Sequence, residues 1–157
     1  MSAAVETTDS FQRIPYEPAN DGRVEMHSGL SRHYPTLHAN LVEEPGASRR
    51  RGVVLCHPAS NFLSHFLLPA LARNGQPAMG LNTRYANNEP ALLMERAASD
   101  LGTGIRWMRE ELGFDEVVLL GFSGGGSLAT FHQSRAEGAE AADAIMLVGA
   151  HPGRARV

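Results

Sequence analysis

The chain has 157 residues, which is enough for one domain with a substantial core and too few for two. A hydrophobic content of 43%, a charged content of 20% and a net charge of -3 at pH 7 are ordinary for a globular protein, and they give no basis for binding nucleic acid or anionic membranes. No apolar run approaches the roughly 20 residues of a membrane span, and Met1–Ser10 lacks the basic and apolar segments of a signal peptide. By elimination, we expect a cytoplasmic protein.

The N-terminal third gives weak structural signals. Residues 1–21 are polar and aperiodic and predict a flexible arm, followed by a single domain over residues 22–157. Alternating patterns at Val24–Leu30 and Thr36–Val42 predict two antiparallel or edge strands.

From Gly52 onward, strand and helix patterns alternate along the chain. The predicted strands are Gly52–Cys56, Pro77–Leu81, Val117–Gly121 and Ala144–Val148, and the predicted helices are Leu67–Arg73, a helix from Pro90 to Leu112, and Gly124–Ala136. The strands are continuously apolar, as strands buried on both faces of a sheet are. This alternation predicts an α/β fold with a mostly parallel sheet and helices on both faces.

The only cysteine, Cys56, lies within the first of these apolar strands, so no disulfide can form within the chain and a reducing compartment is the default. We expect it to be a buried, inert thiol rather than a nucleophile.

Gly121-Phe122-Ser123-Gly124-Gly125 matches the pattern G-x-S-x-G at the junction of a strand and a helix. A serine becomes a nucleophile when a base takes its proton and donors stabilise the oxyanion, and a tight glycine-flanked turn exposes its oxygen beyond the sheet. Two alternatives remain. The serine is an ordinary N-cap, or the helix N-terminus binds an anionic ligand without chemistry. A phosphate-binding P-loop is not favoured, because Ser127 lacks the lysine that should precede it.

The order of VVLCHP, NTRY and VVLLGFSGGGS, with helices between them, is similar to the front half of the α/β-hydrolase family over Gly52–Pro152. The resemblance implies a serine hydrolase of a small ester, amide or thioester substrate, with no cofactor and with Ser123 on a nucleophile elbow. It also implies that the Gly124 N–H is one oxyanion donor. An acyltransferase on the same scaffold is a further alternative.

The resemblance places the second oxyanion N–H in the loop after VVLCHP, where it falls on Ala59. Pro58 stands where the family commonly has glycine, and proline has no N–H to donate. Ser60 is the substitute for Ala59.

The base and the acid of a catalytic triad are not evident in the sequence. The resemblance places them after at least two further strands. Asp143 precedes the last predicted strand and so lies at the wrong end of the sheet. His57 and His151 follow strands and are expected at the same edge as Ser123, as loop braces or as a general base. His132 should point away from the serine, and the spacing of the remaining histidines indicates no metal site.

These observations predict a partial α/β-hydrolase domain whose activity as this chain alone is weak or absent. The interior-type strand Ala144–Val148 would then form a sheet edge, which favours self-association or pairing with a complementing chain.

Overall fold

The computed structural model describes residues 5–16 and 35–150. These residues form six strands and three α-helices. The strands are β1 (Thr8–Pro15), β2 (Thr36–Glu43), β3 (Arg51–His57), β4 (Ala78–Asn82), β5 (Glu116–Phe122) and β6 (Ala144–Val148). The helices are α1 (Leu67–Ala72), α2 (Met94–Glu110) and α3 (Gly125–Gln133), with 3-10 turns at Glu89–Ala91 and Gly138–Glu140.

The strands form one sheet in the order β1-β2-β4-β3-β5-β6. The four strands β4, β3, β5 and β6 are mutually parallel, whereas β2 is antiparallel to both β4 and β1. The carboxyl ends of β3 and β5 therefore lie side by side at one edge of the sheet. The mostly parallel sheet predicted from the sequence is confirmed.

Helices cover both faces of the sheet, and each face has its own apolar core. On one face, Val54, Cys56 and Leu119 pack with residues of α2 and α3. On the other, Val53 and Leu55 pack with residues of α1. Because side chains alternate along a strand, a run such as GVVLC supplies both cores, which explains its continuous hydrophobicity.

Helix α2 begins later than the sequence predicts. Pro90 lies in the 3-10 turn Glu89–Ala91, and Leu92 and Leu93 then adopt extended backbone with ψ of 122° and 116°. Both leucines pack against the core, so they stay out of the helical backbone and α2 starts at Met94. The predicted apolar stripe is confirmed within the helix, where four of its residues are fully buried: Ala97, Leu101, Ile105 and Met108.

The N-terminal segment departs from the prediction of a flexible arm over residues 1–21. Thr8–Pro15 pairs along its whole length with β2, and Ile14 is fully buried in the core. Most other side chains of β1 are exposed, so its polar sequence carries no period-2 signal and only pairing with β2 defines the strand. The predicted strand Val24–Leu30 lies outside the described residues.

Two further elements near the C-terminus differ in detail from the prediction. Helix α3 ends at Gln133 with Ser134 as its C-cap, short of the expected Ala136, and the 3-10 turn Gly138–Glu140 interrupts the predicted loop. Strand β6 has the predicted bounds, but its side chains are not covered in the described part of the chain. Ile145, Met146 and Leu147 are 36%, 47% and 51% exposed.

Candidate active site at the carboxyl edge of the sheet

Ser123 lies at the bend where β5 turns into α3. Its φ is +52°, and among the described residues only one other non-glycine residue, Asn87, has a positive φ. The bend is held by hydrogen bonds from the Ser123 N–H to the Val148 carbonyl (2.9 Å) and from the Gly126 N–H to the Ser123 carbonyl (3.1 Å). A left-handed conformation at a serine costs about 1–2 kcal/mol, and such strain concentrates at functional sites.

The glycines around the serine allow α3 to cross close to two strands. A Cβ on Gly121 would lie 2.6 Å from the Gly125 carbonyl oxygen, and a Cβ on Gly125 would overlap the backbone carbonyl of Cys56 in β3. No side chain fits at either position without moving backbone. The two flanking glycines of the G-x-S-x-G pattern are therefore required by packing.

His57 is the last residue of β3 and lies beside the first turn of α3. Gly124 is the buried N-cap residue of that helix, and a Cβ placed on it would lie 2.8 Å from His57 Nε2. The first N–H groups of a helix have no partner within the helix and give its N-terminus a partial positive charge. The structure thus brings together three residues singled out from the sequence: Ser123, Gly124 and His57.

The loop after β3 folds over the His57 ring. The Ser60 N–H and the Ala59 N–H both donate to His57 Nδ1, at 2.9 Å and 3.2 Å. The Ala59 N–H is therefore turned toward the histidine ring in this structure. Its assignment as the second oxyanion donor stays a prediction, and that role would require the bond to His57 to be given up.

The fold has relatives among solved structures. Brefeldin A esterase, a bacterial homologue of human hormone sensitive lipase, is 19% identical with a TM-score of 0.59, over 81% of this chain and 34% of its own. The chain has the α/β-hydrolase fold. The hormone-sensitive-lipase homologue EstE7 from a metagenome library is 18% identical (TM-score 0.58, 95% of this chain, 46% of its own). A prolyl endopeptidase is 10% identical (TM-score 0.61, 92% and 21%).

No protein-family model and no curated protein matches the sequence. The chain spans less than half the length of each of these α/β-hydrolase-fold structures, at 34%, 46% and 21%. At these identities the comparisons establish the α/β-hydrolase fold alone.

Asp143 lies at the opposite end of the sheet from Ser123. Its carboxylate accepts hydrogen bonds from the Val117 N–H at the start of β5 (2.7 Å) and from Arg109 Nη2 (2.7 Å). Burial alone would raise the pKa of Asp143, but the Val117 N–H and the Arg109 guanidinium hold it below its ordinary value. Six residues of a parallel strand span about 20 Å, so Asp143 cannot reach the serine.

Of the two histidines that follow Ser123 in the sequence, only His132 lies in the described residues. The His132 ring is buried beneath α3, with its two nitrogens 2.9 Å from the carbonyl oxygens of Ala98 and Glu140. It ties α2 and α3 to the turn Gly138–Glu140 and faces away from the bend, as predicted. His151 lies outside the described residues.

A row of stacked aromatic rings next to the bend was missed in the sequence. The rings of His57, Phe62, His65 and Phe66 stack in succession with centroid separations of 5.6, 4.5 and 4.5 Å. Phe122, which precedes Ser123, meets the last three of them edge-on or nearly so. Burial lowers the pKa of His65, which keeps its ring neutral at neutral pH. The spacing of Phe62, His65 and Phe66 is the signal that could have revealed it.

The NTRY segment after β4 braces this aromatic loop. Asn82 accepts a hydrogen bond from the Phe62 N–H (2.7 Å), and the Thr83 hydroxyl donates to the Pro58 carbonyl (2.6 Å). Arg84 forms a buried ion pair with Asp100 of α2 (2.7 Å), with side-chain exposures of 5% and 0%. The side chains of Asn82 and Thr83 thus fix the loop that carries Ala59 to the neighbouring strand.

Cys56 is fully buried, and burial raises its pKa to about 12. The thiol is therefore protonated and inaccessible, as the sequence predicted. In residues 5–16 and 35–150, no helix is long and apolar enough to cross a membrane, and no three histidine, cysteine or carboxylate side chains are grouped to hold a metal ion.

One concavity formed by described residues lies away from the bend. It has a volume of about 540 Å³ and is lined by Pro15, Tyr16, Ser99, Thr103, Arg106 and Glu140. The Arg106–Glu140 ion pair spans part of it, and both residues are about 40% exposed or more. The Thr103 hydroxyl donates to the Ser99 carbonyl within α2, and Glu140 is paired with Arg106, so we assign the chemistry to the bend and not to this concavity.

Proposed function

We propose that the protein hydrolyses an ester or related acyl substrate through an acyl-serine at Ser123. The observation that carries the proposal is the positive φ of Ser123 at a strand–turn–helix bend. A serine that only capped α3 would not need this strained conformation, since N-cap residues adopt ordinary extended backbone. Esterases among the solved structures with this fold support the same reaction class.

The reaction follows from this placement. Ser123 Oγ attacks the carbonyl carbon of the substrate while a base takes its proton, and the carbonyl electrons move to the oxygen. The Gly124 N–H, at the positive end of α3, stabilises that oxyanion. The C–O bond to the alcohol then breaks, the alcohol leaves with the proton, and water hydrolyses the acyl-serine by the same steps.

The base is proposed to come from outside the described residues, with His151 as the nearest candidate in sequence. Asp143 and His132 are both held elsewhere in the structure. Loss of the base typically lowers serine hydrolase activity by orders of magnitude while an oxyanion hole retains some of it. We therefore expect slow turnover from this chain alone.

The ring row favours an apolar group on the substrate. Phe66, at the outer end of the row, is 65% exposed, and Phe122, which contacts Phe66, immediately precedes Ser123. Burying an exposed phenyl ring against an apolar acyl or alkoxy group is favourable at roughly 25 cal/mol per Å² of apolar surface. The substitution Phe66→Ala should accordingly lower kcat/KM for p-nitrophenyl butyrate more than it lowers kcat/KM for p-nitrophenyl acetate.

The deciding experiment is covalent labelling by a fluorophosphonate, read by intact mass. We expect one adduct on the wild-type chain and on Ser134→Ala, which removes an exposed serine at the C-cap of α3. We expect none on Ser123→Ala. A folded wild-type chain that forms no adduct would refute an activated serine and favour the non-catalytic anion-binding alternative. If the chain labels, and the acyl group of a p-nitrophenyl ester passes from Ser123 to added alcohols in preference to water, the result would favour an acyltransferase.

We also propose that β6 pairs with β6 of a second copy of this chain. Its apolar side chains are exposed on both faces, and a two-fold axis brings identical sheet edges together in antiparallel register. Light scattering after size exclusion should show a dimer that Leu147→Lys weakens and that Val5→Lys, at another exposed apolar residue, does not. A monomer at every concentration would contradict the proposal.

A further inference from the structure

The row of stacked rings ends on an open phenyl face. Phe62 and Phe66 both stack on the His65 ring at 4.5 Å between centroids, so they lie on its opposite faces. Phe122 is nearest to this middle ring, at 4.8 Å, and farther from the rings on either side, at 6.4 and 5.9 Å. Phe122 therefore lies beside the row and does not cover the far face of Phe66, and Phe66 is 65% exposed.

The contacts around the row hold its rings in place. Phe62 is 4% exposed, and its N–H donates to the side-chain oxygen of Asn82 (2.7 Å). The Leu67 N–H donates to His65 Nδ1 (3.3 Å). Burial lowers the pKa of His65, so the middle of the row is a neutral ring at neutral pH. The open face of Phe66 is thus the end of an ordered, uncharged stack, and covering it costs little conformational entropy.

We propose that the outer face of Phe66 is an aryl-binding subsite, on which an aromatic group of the substrate stacks as the next ring of the row. The inference rests on the proposed function of Ser123, and it narrows the substrate to an ester that carries an aryl group. The link to the serine is Phe122, which contacts Phe66 and immediately precedes Ser123. The rings of the row are 4.5–5.6 Å apart, within the range of centroid distances that stacked aromatic pairs prefer.

Stacking can be separated from simple burial of apolar surface. A cyclohexyl group buries about as much apolar area as a phenyl group, so burial alone gives no preference for phenyl. An aromatic pair is favoured beyond its buried area by an amount that corresponds to about a 2- to 10-fold difference in affinity. We therefore expect kcat/KM for a phenyl ester to exceed that for its cyclohexyl counterpart by about 2- to 10-fold.

Two matched pairs of esters test this preference and locate the aryl group. Ethyl hydrocinnamate and ethyl cyclohexanepropionate carry the ring in the acyl part, whereas phenethyl acetate and cyclohexylethyl acetate carry it in the alcohol part. The saturated spacer keeps the ring from altering the reactivity of the ester. Hydrolysis is followed by chromatography of the released acid, with Ser123→Ala as the background, because a p-nitrophenyl leaving group would itself be an aryl group. We expect the phenyl preference in one of the two pairs.

Three variants test whether Phe66 is the origin of the preference. Phe66→Leu keeps an apolar side chain but removes the ring, and Phe66→Tyr keeps the ring. Phe11→Leu is the matched control, since Phe11 is 55% exposed on β1 and belongs to no part of the row. We expect Phe66→Leu to abolish the phenyl preference, and Phe66→Tyr and Phe11→Leu to retain it. Phe66 is exposed, so neither substitution there leaves a cavity in the core.

The outcomes are distinguishable. A wild-type chain whose Ser123 does not label with the fluorophosphonate overturns the proposed function and the substrate assignment together. If Ser123 labels, then the absence of a phenyl preference in both pairs, or a preference that persists in Phe66→Leu, overturns the subsite alone. Titration of Ser123→Ala with phenethyl alcohol and with cyclohexylethanol, followed by nuclear magnetic resonance, gives a readout that needs no turnover. We expect the ring current of phenethyl alcohol to shift the Phe66 ring resonances, and equal shifts with both alcohols would overturn stacking.

Discussion

The left-handed backbone of Ser123 predicts that glycine stabilises the chain more than alanine at this position, the reverse of their order inside a helix. Both Ser123→Ala and Ser123→Gly remove the hydroxyl and leave the backbone hydrogen bonds to Val148 and Gly126 in place. The two variants differ only in a Cβ at a residue whose φ is +52°. Since a Cβ is disfavoured in left-handed backbone and glycine is not, Ser123→Gly should be the more stable of the two.

The magnitude follows from two opposing contributions. A non-glycine residue in left-handed backbone costs about 1–2 kcal/mol relative to glycine. Glycine loses about 0.5–1 kcal/mol more conformational entropy than alanine on folding. The mid-range values of these two contributions, about 1.5 and about 0.75 kcal/mol, differ by about 0.75 kcal/mol, and the free energy of unfolding of Ser123→Gly should exceed that of Ser123→Ala by roughly this amount. At a size of 157 residues this corresponds to a melting temperature higher by about 1–4 °C.

The assay is urea unfolding followed by far-ultraviolet circular dichroism, with the same two substitutions at Ser127 as the matched control. Ser127 lies within α3, one turn after the bend. There the order should reverse, with Ser127→Ala more stable than Ser127→Gly by about 1 kcal/mol, because alanine is favoured over glycine in a helix. If alanine is the more stable substitution at both positions, Ser123 is not in left-handed backbone and the structural basis of the proposed function is lost.

Three further predictions concern buried and charged groups. Cys56 has a pKa of about 12, so very little of its thiol is ionised at pH 8, whereas in urea about a quarter of thiols are ionised at that pH. It should therefore react with a thiol reagent at least a thousandfold more slowly in the folded chain than in urea. Comparable rates would contradict the burial of Cys56. Asp100→Ala leaves Arg84 charged and buried and should lower the free energy of unfolding by about 3–5 kcal/mol, whereas Glu140→Ala at an exposed ion pair should cost under about 1 kcal/mol. Because the folded pKa of Asp143 is lowered, its stabilisation is present at neutral pH and lost as the pH falls below about 4. Asp143→Asn should therefore destabilise the chain at pH 7 and have a smaller effect near pH 3, and an equal effect at both would refute the shift.

Local sequence patterns were sufficient to predict the central strands of the sheet. Within β3 and β5, the runs Gly52–Cys56 and Val117–Phe122 are apolar at every position, as strands buried on both faces of a sheet require. The role of the glycines around Ser123 can also be predicted from the sequence, because close packing restricts which residues fit there. A helix that crosses two strands closely excludes every other side chain, so the requirement appears in the sequence as residue type and spacing.

Other features depend on contacts between segments distant in sequence, and no local pattern records them. Strand β1 is polar along most of its length and exists because β2 offers it an edge. The four-ring row forms only because β3 and β5 end side by side and bring Phe62 and His65 against Phe122.

The sequence by itself determined that a serine on a tight bend stands at the carboxyl edge of a parallel sheet, because backbone sterics leave few residues able to make that bend. Only the tertiary structure decided which neighbouring groups face it. The His57 ring and the Ala59 N–H lie two residues apart at the end of β3, so spacing alone ranks them equally. Hydrogen bonds to Nδ1 and the stack on Phe62 turn the Ala59 N–H to the ring and Nε2 toward Gly124. That choice is made by packing and hydrogen bonding between loops, which depend on the whole fold.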